Sequence, residues 1–316
     1  MSTIDSSSDA APGRKRKPLR LGDKLFAGSA TGAGIIILTL LAGVAVFLII
    51  QAVPAFQADP KDIPGGKGLF NYIAPLAFGT VLAATIAIIL AVPLALAVSL
   101  FISHIAPPKL AQPLSYAIDL LAAIPSLVYG LWGVAVLGPY LVDFTRWLED
   151  HLGFIPLFKG PASSTGRTMF VVGIVLAVMI TPIITAITRE VFSQTPRKLQ
   201  EAALALGATR WEMIRMTVLP FGRSAIISAS MIGLGRALGE TLAVTIILSV
   251  SGRYTFDLIS SANPSTIAAN VALDFPESSG LDVNTLIASG LVLFVMTLVV
   301  NMAARAVINK SQKGQV

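Results

Sequence analysis

Apolar residues fill this chain in long unbroken runs, and charge is confined to the gaps between them. No Asp, Glu, Lys or Arg interrupts Leu25–Ala58 or Leu69–Ser103. About 20 consecutive apolar residues are needed to cross hydrocarbon as a helix, because every backbone amide must find its partner within the segment. Six stretches qualify: Ala30–Ala52, Pro75–Ile102, Leu114–Leu141, Thr168–Thr188, Leu219–Val250 and Asn284–Ala303. The pattern predicts an all-α polytopic membrane protein. Pro93 is expected to kink the second helix. Ile124-Pro125-Ser126-Leu127-Val128-Tyr129-Gly130-Leu131-Trp132-Gly133 is expected to bend the third and pack it closely on others. Tyr140, Phe144 and Trp147 then suit an interfacial belt, followed by a loop over 143–166 with a short helix lying flat over Asp143–Leu152.

Composition agrees: 54% of residues are hydrophobic and 13% charged, against about 25% charged in a soluble domain. The net charge of +6 reflects where the basic residues sit. Arg14-Lys15-Arg16-Lys17, Arg20 and Lys24 precede the first span, Arg305, Lys310 and Lys313 follow the last, and no basic stripe marks a nucleic-acid-binding domain. The segment 189–223 carries six basic against three acidic residues, whereas 251–283 carries Arg253 against Asp257, Asp274, Glu277 and Asp282. By the positive-inside rule both termini and the 189–223 segment lie in the cytoplasm. The uncharged run over 25–58 exceeds the about 7–15 residues of a signal-peptide core, so the first span reads as an uncleaved anchor. Residues 1–28 read as a disordered basic tail, 29–305 as the membrane domain, and 306–316 as a second cytoplasmic tail. Without cysteine there are no disulfides or thiolate metal sites. Gly65-Gly66-Lys67-Gly68 falls short of the nucleotide cradle G-x-x-x-x-G-K-[ST], which occurs nowhere in the chain. Any ATP-driven step therefore belongs to another chain. His104 and His151, in predicted loops, meet no carboxylate constellation, and no catalytic or metal-binding residue is expected.

Two stretches carry candidate mechanism. From Pro196 to Pro220 a short helix through Glu201–Leu206 is expected to end at Gly207, and a second to run through Trp211, Ile214 and Val218. Leu199, Ala202, Ala203 and Leu206 fall on one face, small enough for a partner to approach closely; an amphipathic helix lying on the membrane fits the same pattern. The second stretch is Gly233-Leu234-Gly235-Arg236-Ala237-Leu238-Gly239-Glu240-Thr241. Arg236 lies 13 residues beyond Arg223 and Glu240 lies 13 before Arg253, roughly 20 Å at 1.5 Å per residue, hence near mid-bilayer. Each charge there costs about 2.5–3.5 kcal/mol. Spaced i, i+4 on one helix they can pair. Either the pair fixes helix packing, aided by Gly235 and Gly239, or Arg236 serves an ion path, its fork matching two oxygens of a tetrahedral oxyanion. Glu240 can then tether Arg236 in the empty site or accept a hydrogen bond from a protonated anion. Thr80, Ser126 and Thr241 are further candidates as small polar groups in or near spans.

Glu201-Ala202-Ala203, Gly207 and Leu219-Pro220 stand at the spacing of the signature loop of bacterial ABC-importer permeases, with Thr217 where isoleucine is usual. The Arg236 stretch through Val244 closely resembles the phosphate-importer permeases of the PstC family, and Ile124–Gly133 is similar to the matching third-span motif of the Pst permeases. The likeness runs over nearly all of 30–305. It implies the six-helix type I ABC importer permease (MetI-like) fold, with Glu201, Ala202, Ala203, Gly207, Leu219 and Pro220 docking on an ATPase and Arg236 and Glu240 in the phosphate path. It also implies a homologous PstA-like permease, a PstB-like ATPase dimer that binds the ATP and magnesium, and a PstS-like phosphate-binding protein outside. Sulfate and molybdate importers share the Glu-Ala-Ala loop and are rivals on substrate. A gradient-driven anion carrier would explain Arg236 and Glu240 but not that loop.

Overall fold

The computed structural model describes residues 21–248 and 254–313, so the basic residues before Leu21, together with Arg253, lie outside the described residues. Its long elements are helices. The described residues up to Phe47 and those from Leu48 onward form two separate compact units. The first comprises most of α1 (Leu21–Gln57). Helix is thus already present over 21–28, which the sequence assigned to a disordered tail; nothing between Leu21 and Ala30 breaks a helix, so the pattern runs on.

The second unit is organised around α6 (Met169–Ser193), whose side chains are buried on several faces. A chain that sends polar hydroxyls into such a core must pair them. Thr181, Thr185 and Thr188 do so by donating to the carbonyls of Ala177, Thr181 and Ile184 at 2.7, 2.8 and 2.7 Å. Against α6 lies α2 (Leu69–Leu100), which presents Ala83, Ala84, Ala87, Ala91 and Ala95, all buried. These small side chains let the backbones approach, as packing in lipid requires. A π-helical turn, Phe101–Ile105, ends the second span and holds His104, whose Nδ1 lies 2.7 Å from Ser103 Oγ.

The third span departs from expectation. Residues 108–122 form a helix of their own, α3 (Pro108–Ala122). The chain breaks at Ala123–Pro125, and the span proper is α4 (Ser126–Trp132), a π-helical turn (Gly133–Leu137) and α5 (Gly138–Leu152) in one line. Pro125 explains the break, since it has no amide to give and pushes Ile124 out of helical conformation. The flat helix expected over 143–152 is instead the continuation of this span.

Helices α7 (Arg197–Ala205) and α8 (Arg210–Met213) follow α6. A π-helical turn over 214–218 leads into α9 (Leu219–Leu238), and a break separates α9 from α10 (Leu242–Ile247). The fifth span is therefore two helices, not one. At the far end of α6, residues 157–170 and 254–267 are laced together. Ser163 N donates to Ile259 O and Leu258 N to Leu157 O, both at 2.8 Å. Arg167 donates Nε to Ile247 O at 3.2 Å and Nη2 to Ile246 O at 2.9 Å, capping the end of α10. After α11 (Ile267–Asp274) the last helix, α12 (Leu281–Lys313), runs past Arg305 through most of the predicted second tail. Among the described residues six helical segments are long and apolar enough to cross a membrane.

Candidate functional site

At the α9–α10 break the two mid-span charges part company. Gly235 and Gly239 each weaken a helix by about 1 kcal/mol relative to alanine, and α9 stops at Leu238. Its last bonds are stretched, Gly239 N to Gly235 O at 3.3 Å and Glu240 N to Ala237 O at 3.4 Å. Glu240, 8% exposed, turns away from Arg236 and accepts the Ala243 amide on Oε1 at 3.2 Å. It satisfies one of the amides that begin α10 and have no partner within it. The expected i, i+4 pair is absent, because the helix it needs is interrupted between the two residues. Arg236 is exposed, with no hydrogen bond or ion pair to any described residue. Thr241 Oγ1 donates to Gly239 O at 3.2 Å and stays part-exposed at the break.

The break after α3 lies beside this one. Tyr129 donates its hydroxyl to Leu121 O at 2.7 Å, bridging α4 back to the end of α3. A Cβ on Gly130 would come within 2.8 Å of Ala243 Cα, so α4 and α10 touch through backbone. One on Gly133 would strike Ile247 and Val175. Tyr129 is within electrostatic reach of Arg236, and Ser126, part-exposed, opens α4 directly after Pro125. Two interrupted helices thus lie side by side with a bare guanidinium at the join. A cation exposed on an otherwise apolar span is costly unless it faces a cavity or another subunit. Thr80 is not part of the join. Its buried hydroxyl donates to Leu76 O at 2.7 Å and accepts from Ile267 N at 3.0 Å, fixing the start of α11. Tyr129 and Gly130 stand in the predicted motif, but their spacing to Ala243 and Arg236 is a tertiary fact invisible along the chain.

The second region is the α7–α8 segment. Pro196 precedes α7, and Gly207 ends it at φ +86°, with open space around its Cα. Thr209 and Glu212 form a reciprocal capping box that starts α8. Glu201, Ala202, Leu199, Leu204 and Leu206 are exposed, Leu206 by 88%. Ala203 is not on that surface. It is buried with Leu100, Phe192, Met213, Ile214 and Val218 in a small core of its own. The face read from spacing is split because the helix is only nine residues long and is seated on its middle. Thr217 donates to Met213 O at 2.7 Å within the π-helical turn, and Leu219 and Pro220 open α9. A Cβ on Gly222 would meet the Phe192 ring at 2.5 Å, so the start of α9 is seated on the end of α6.

Residues 91–313 match the family described as "binding-protein-dependent transport system inner membrane component". The chain is 46% identical over 305 residues to the phosphate transport system permease protein PstC 2 of Mycobacterium tuberculosis, covering 92% of this chain and 93% of that one. It is 37% identical to the phosphate transport system permease protein PstC of Mesorhizobium japonicum, over 96% of this chain and 93% of the relative. Among solved structures it resembles the bacterial alginate ABC transporter bound to its pentasaccharide-loaded periplasmic protein, with TM-score 0.58, 16% identity and coverage of 90% of this chain and 93% of that one. It also resembles the inward-facing MetNI methionine ABC transporter, with TM-score 0.51, 15% identity and coverage of 77% and 94%. At such identities the likeness is one of fold, the six-helix ABC importer permease.

Proposed function

From the matches across nearly its whole length, which show that the chain belongs to the PstC family of phosphate transport permeases, we propose a division of labour among its residues. The chain is a membrane permease subunit of an ABC phosphate importer, and it is not an enzyme: ATP hydrolysis lies on a separate subunit. Arg236 is the anion-binding group. Its guanidinium offers paired donors to two phosphate oxygens, and no described residue competes for them. Glu240 is spent on the start of α10, which removes the carboxylate that would neutralise the cation. Ser126 and Thr241, at the two breaks, are placed to add neutral hydroxyls. Thr80 is left to the fold.

The termini and α7 face the cytoplasm in this reading. There the exposed edge of α7, with Glu201, Ala202, Leu206 and Gly207, docks on one subunit of a PstB-like ATPase dimer. Ala203, Leu219 and Pro220 tie that edge to the spans. ATP and magnesium bind the ATPase, and this chain holds no cofactor. A PstA-like permease covers the surface on which Arg236 is bare. A PstS-like protein delivers phosphate to the opposite end, onto the layer formed by 157–170 and 254–267.

The observation that carries the proposal is the unpaired guanidinium at the join of two interrupted helices. The test is ATP-driven uptake of labelled phosphate by the reconstituted transporter. Arg236→Gln is expected to lower uptake at least about 100-fold, as loss of a charged contact to the transported ion would, with assembly intact. Uptake at the wild-type rate would leave Arg236 a packing residue.

A further inference from the structure

Between the α7–α8 segment and the α9–α10 break lies an ion pair that neither region uses. Arg189, on α6, reaches Asp119, on α3. Both carboxylate oxygens fall on one nitrogen, with Nη2 at 3.4 Å from Oδ1 and 3.5 Å from Oδ2. A matched guanidinium–carboxylate pair uses two nitrogens at about 2.7–2.9 Å. Here the other arm, Nη1, is buried and has no hydrogen-bond partner among the described residues. A buried charged donor without an acceptor is costly, so the site favours an additional acceptor over what Asp119 supplies. The two partners are also held unequally. The Arg189 side chain is 19% exposed and that of Asp119 is 50% exposed. α6 is the most enclosed helix of its unit, whereas α3 buries no residue.

The position is informative. Helices α6 and α9 pack antiparallel, with Ile184 against Gly233 and Phe192 against Gly222. Arg189 therefore lies nearer α7 than Arg236 does, by roughly 14 Å at 1.5 Å per residue. One wall joins them. Asp119 is on the last turns of α3, Leu121 two residues on holds the Tyr129 hydroxyl, and Tyr129 feels the charge of Arg236.

We propose that Arg189 is a second phosphate station, on the α7 side of Arg236, and that Asp119 occupies its guanidinium until the anion takes it over. The inference rests on the reading of Arg236 and of sidedness given above. A tetrahedral oxyanion sets one oxygen on Nη1, which has no acceptor now, and another on Nη2, displacing Asp119. No bond is made or broken; one anionic partner replaces another. Asp119 keeps the station weak, and a path conducts only if each site releases what it binds.

The complete transporter, reconstituted with its ATPase enclosed in the vesicle together with ATP, tests this through the effect of lumenal inorganic phosphate on uptake of labelled phosphate. Wild-type uptake is expected to fall as lumenal phosphate rises. Asp119→Asn is expected to shift that inhibition to about tenfold lower phosphate, the size of an ordinary coupling between two ligands of one group. Arg189→Gln is expected to abolish the lumenal inhibition and slow uptake about tenfold or more. Arg189→Lys, which keeps the charge but loses the fork, is expected to weaken the inhibition and guards against misfolding of the glutamine variant. An unchanged lumenal response in Asp119→Asn or in Arg189→Lys would overturn the proposal. So would wild-type uptake with wild-type lumenal inhibition in the swapped pair Asp119→Arg, Arg189→Asp, which a purely structural ion pair would give. Arg236→Gln, run in parallel, separates the two readings. If it transports normally, the Arg236 assignment fails first; if it is dead while the Arg189 and Asp119 variants match wild type, the second station alone falls.

Discussion

The α7–α8 segment rests on a small apolar core, whereas the α9–α10 break, flanked by Ala237, Leu238, Ala243 and Val244 in the main core, is also held by hydrogen bonds. Under α7, five buried side chains from α2, α7, α8 and the turn after it close around Phe192 of α6, and there is no polar partner to exchange. At the break, a single carboxylate-to-amide bond of 3.2 Å starts α10, and Arg167 holds its other end through two carbonyls. The contrast fits the roles proposed for the two regions. Close-packed apolar contacts transmit a displacement as a unit, since interiors resist compression. Hydrogen bonds at interrupted helices can change partners at small cost, which a site that binds and releases an ion needs.

Removing the ring of Phe192 should break the comparison from the packed side. Phe192→Ala empties the small core, and large-to-small changes of this kind cost about 3–5 kcal/mol. The expected result is a lower melting temperature of the purified complex and ATP-driven uptake reduced more than tenfold, because α7 then moves without carrying α9. A variant that melts earlier but stays fully coupled would show that this core is not the transmission. Leu206→Asp probes the same lever from outside. The side chain is almost wholly exposed, so stability should change by no more than about 0.5 kcal/mol. Co-purification of the ATPase should drop severalfold, and its retention would place the contact elsewhere on α7.

These effects also mark where the sequence was legible. Six spans and the α7–α8 segment follow from hydrophobic run length and from one spaced motif, both of which are local quantities. The burial of Ala203 is not legible in sequence, because four positions at helical spacing say which residues share a face but not whether that face looks outward. The interruption of the fifth span is hidden for a related reason. Gly235, Gly239 and Glu240 are compatible with a continuous membrane helix, and the break is decided by the Ala243 amide, which becomes an alternative partner only once α10 is seated against Gly130. Thr80, by contrast, looked available in sequence because its acceptor role is filled from Ile267, 187 residues away. Arg189 and Asp119, 70 residues apart, gave no sequence signal as a pair.

Smaller effects are expected at Glu240. Glutamine keeps an acceptor for Ala243 N and leucine does not. Glu240→Leu should therefore cost about 1 kcal/mol, as loss of a helix-starting acceptor does, and Glu240→Gln a few tenths at most. Thermal unfolding of the two variants side by side reads the difference. Equal losses would mean that the charge of Glu240, and not its hydrogen bond, matters to the break.

The smallest expected effect lies in the hydrogen-bonded layer to which Arg167 belongs, and it turns on pH. Asp257 is buried there, and burial pushes its carboxyl above the ordinary range; amides of Ile259, Ser260 and Gly160 pull it partly back, and Glu149 adds to the rise. A carboxyl whose folded value is raised binds more protons in the folded state, so its contribution is present below the unfolded value, about 3.9, and is lost as pH rises through the folded one. Hydrogen exchange of the amides at 257–263, corrected for intrinsic rate, should therefore show more protection on acidification from neutral pH toward pH 4. Asp257→Asn keeps an oxygen for Ile259 N and should flatten that dependence. The amides of α7, over a core with no titrating group, should not respond in either protein. A parallel response in α7 would mean that the apolar and hydrogen-bonded regions are not separately held, and the contrast between them would no longer support the proposed coupling.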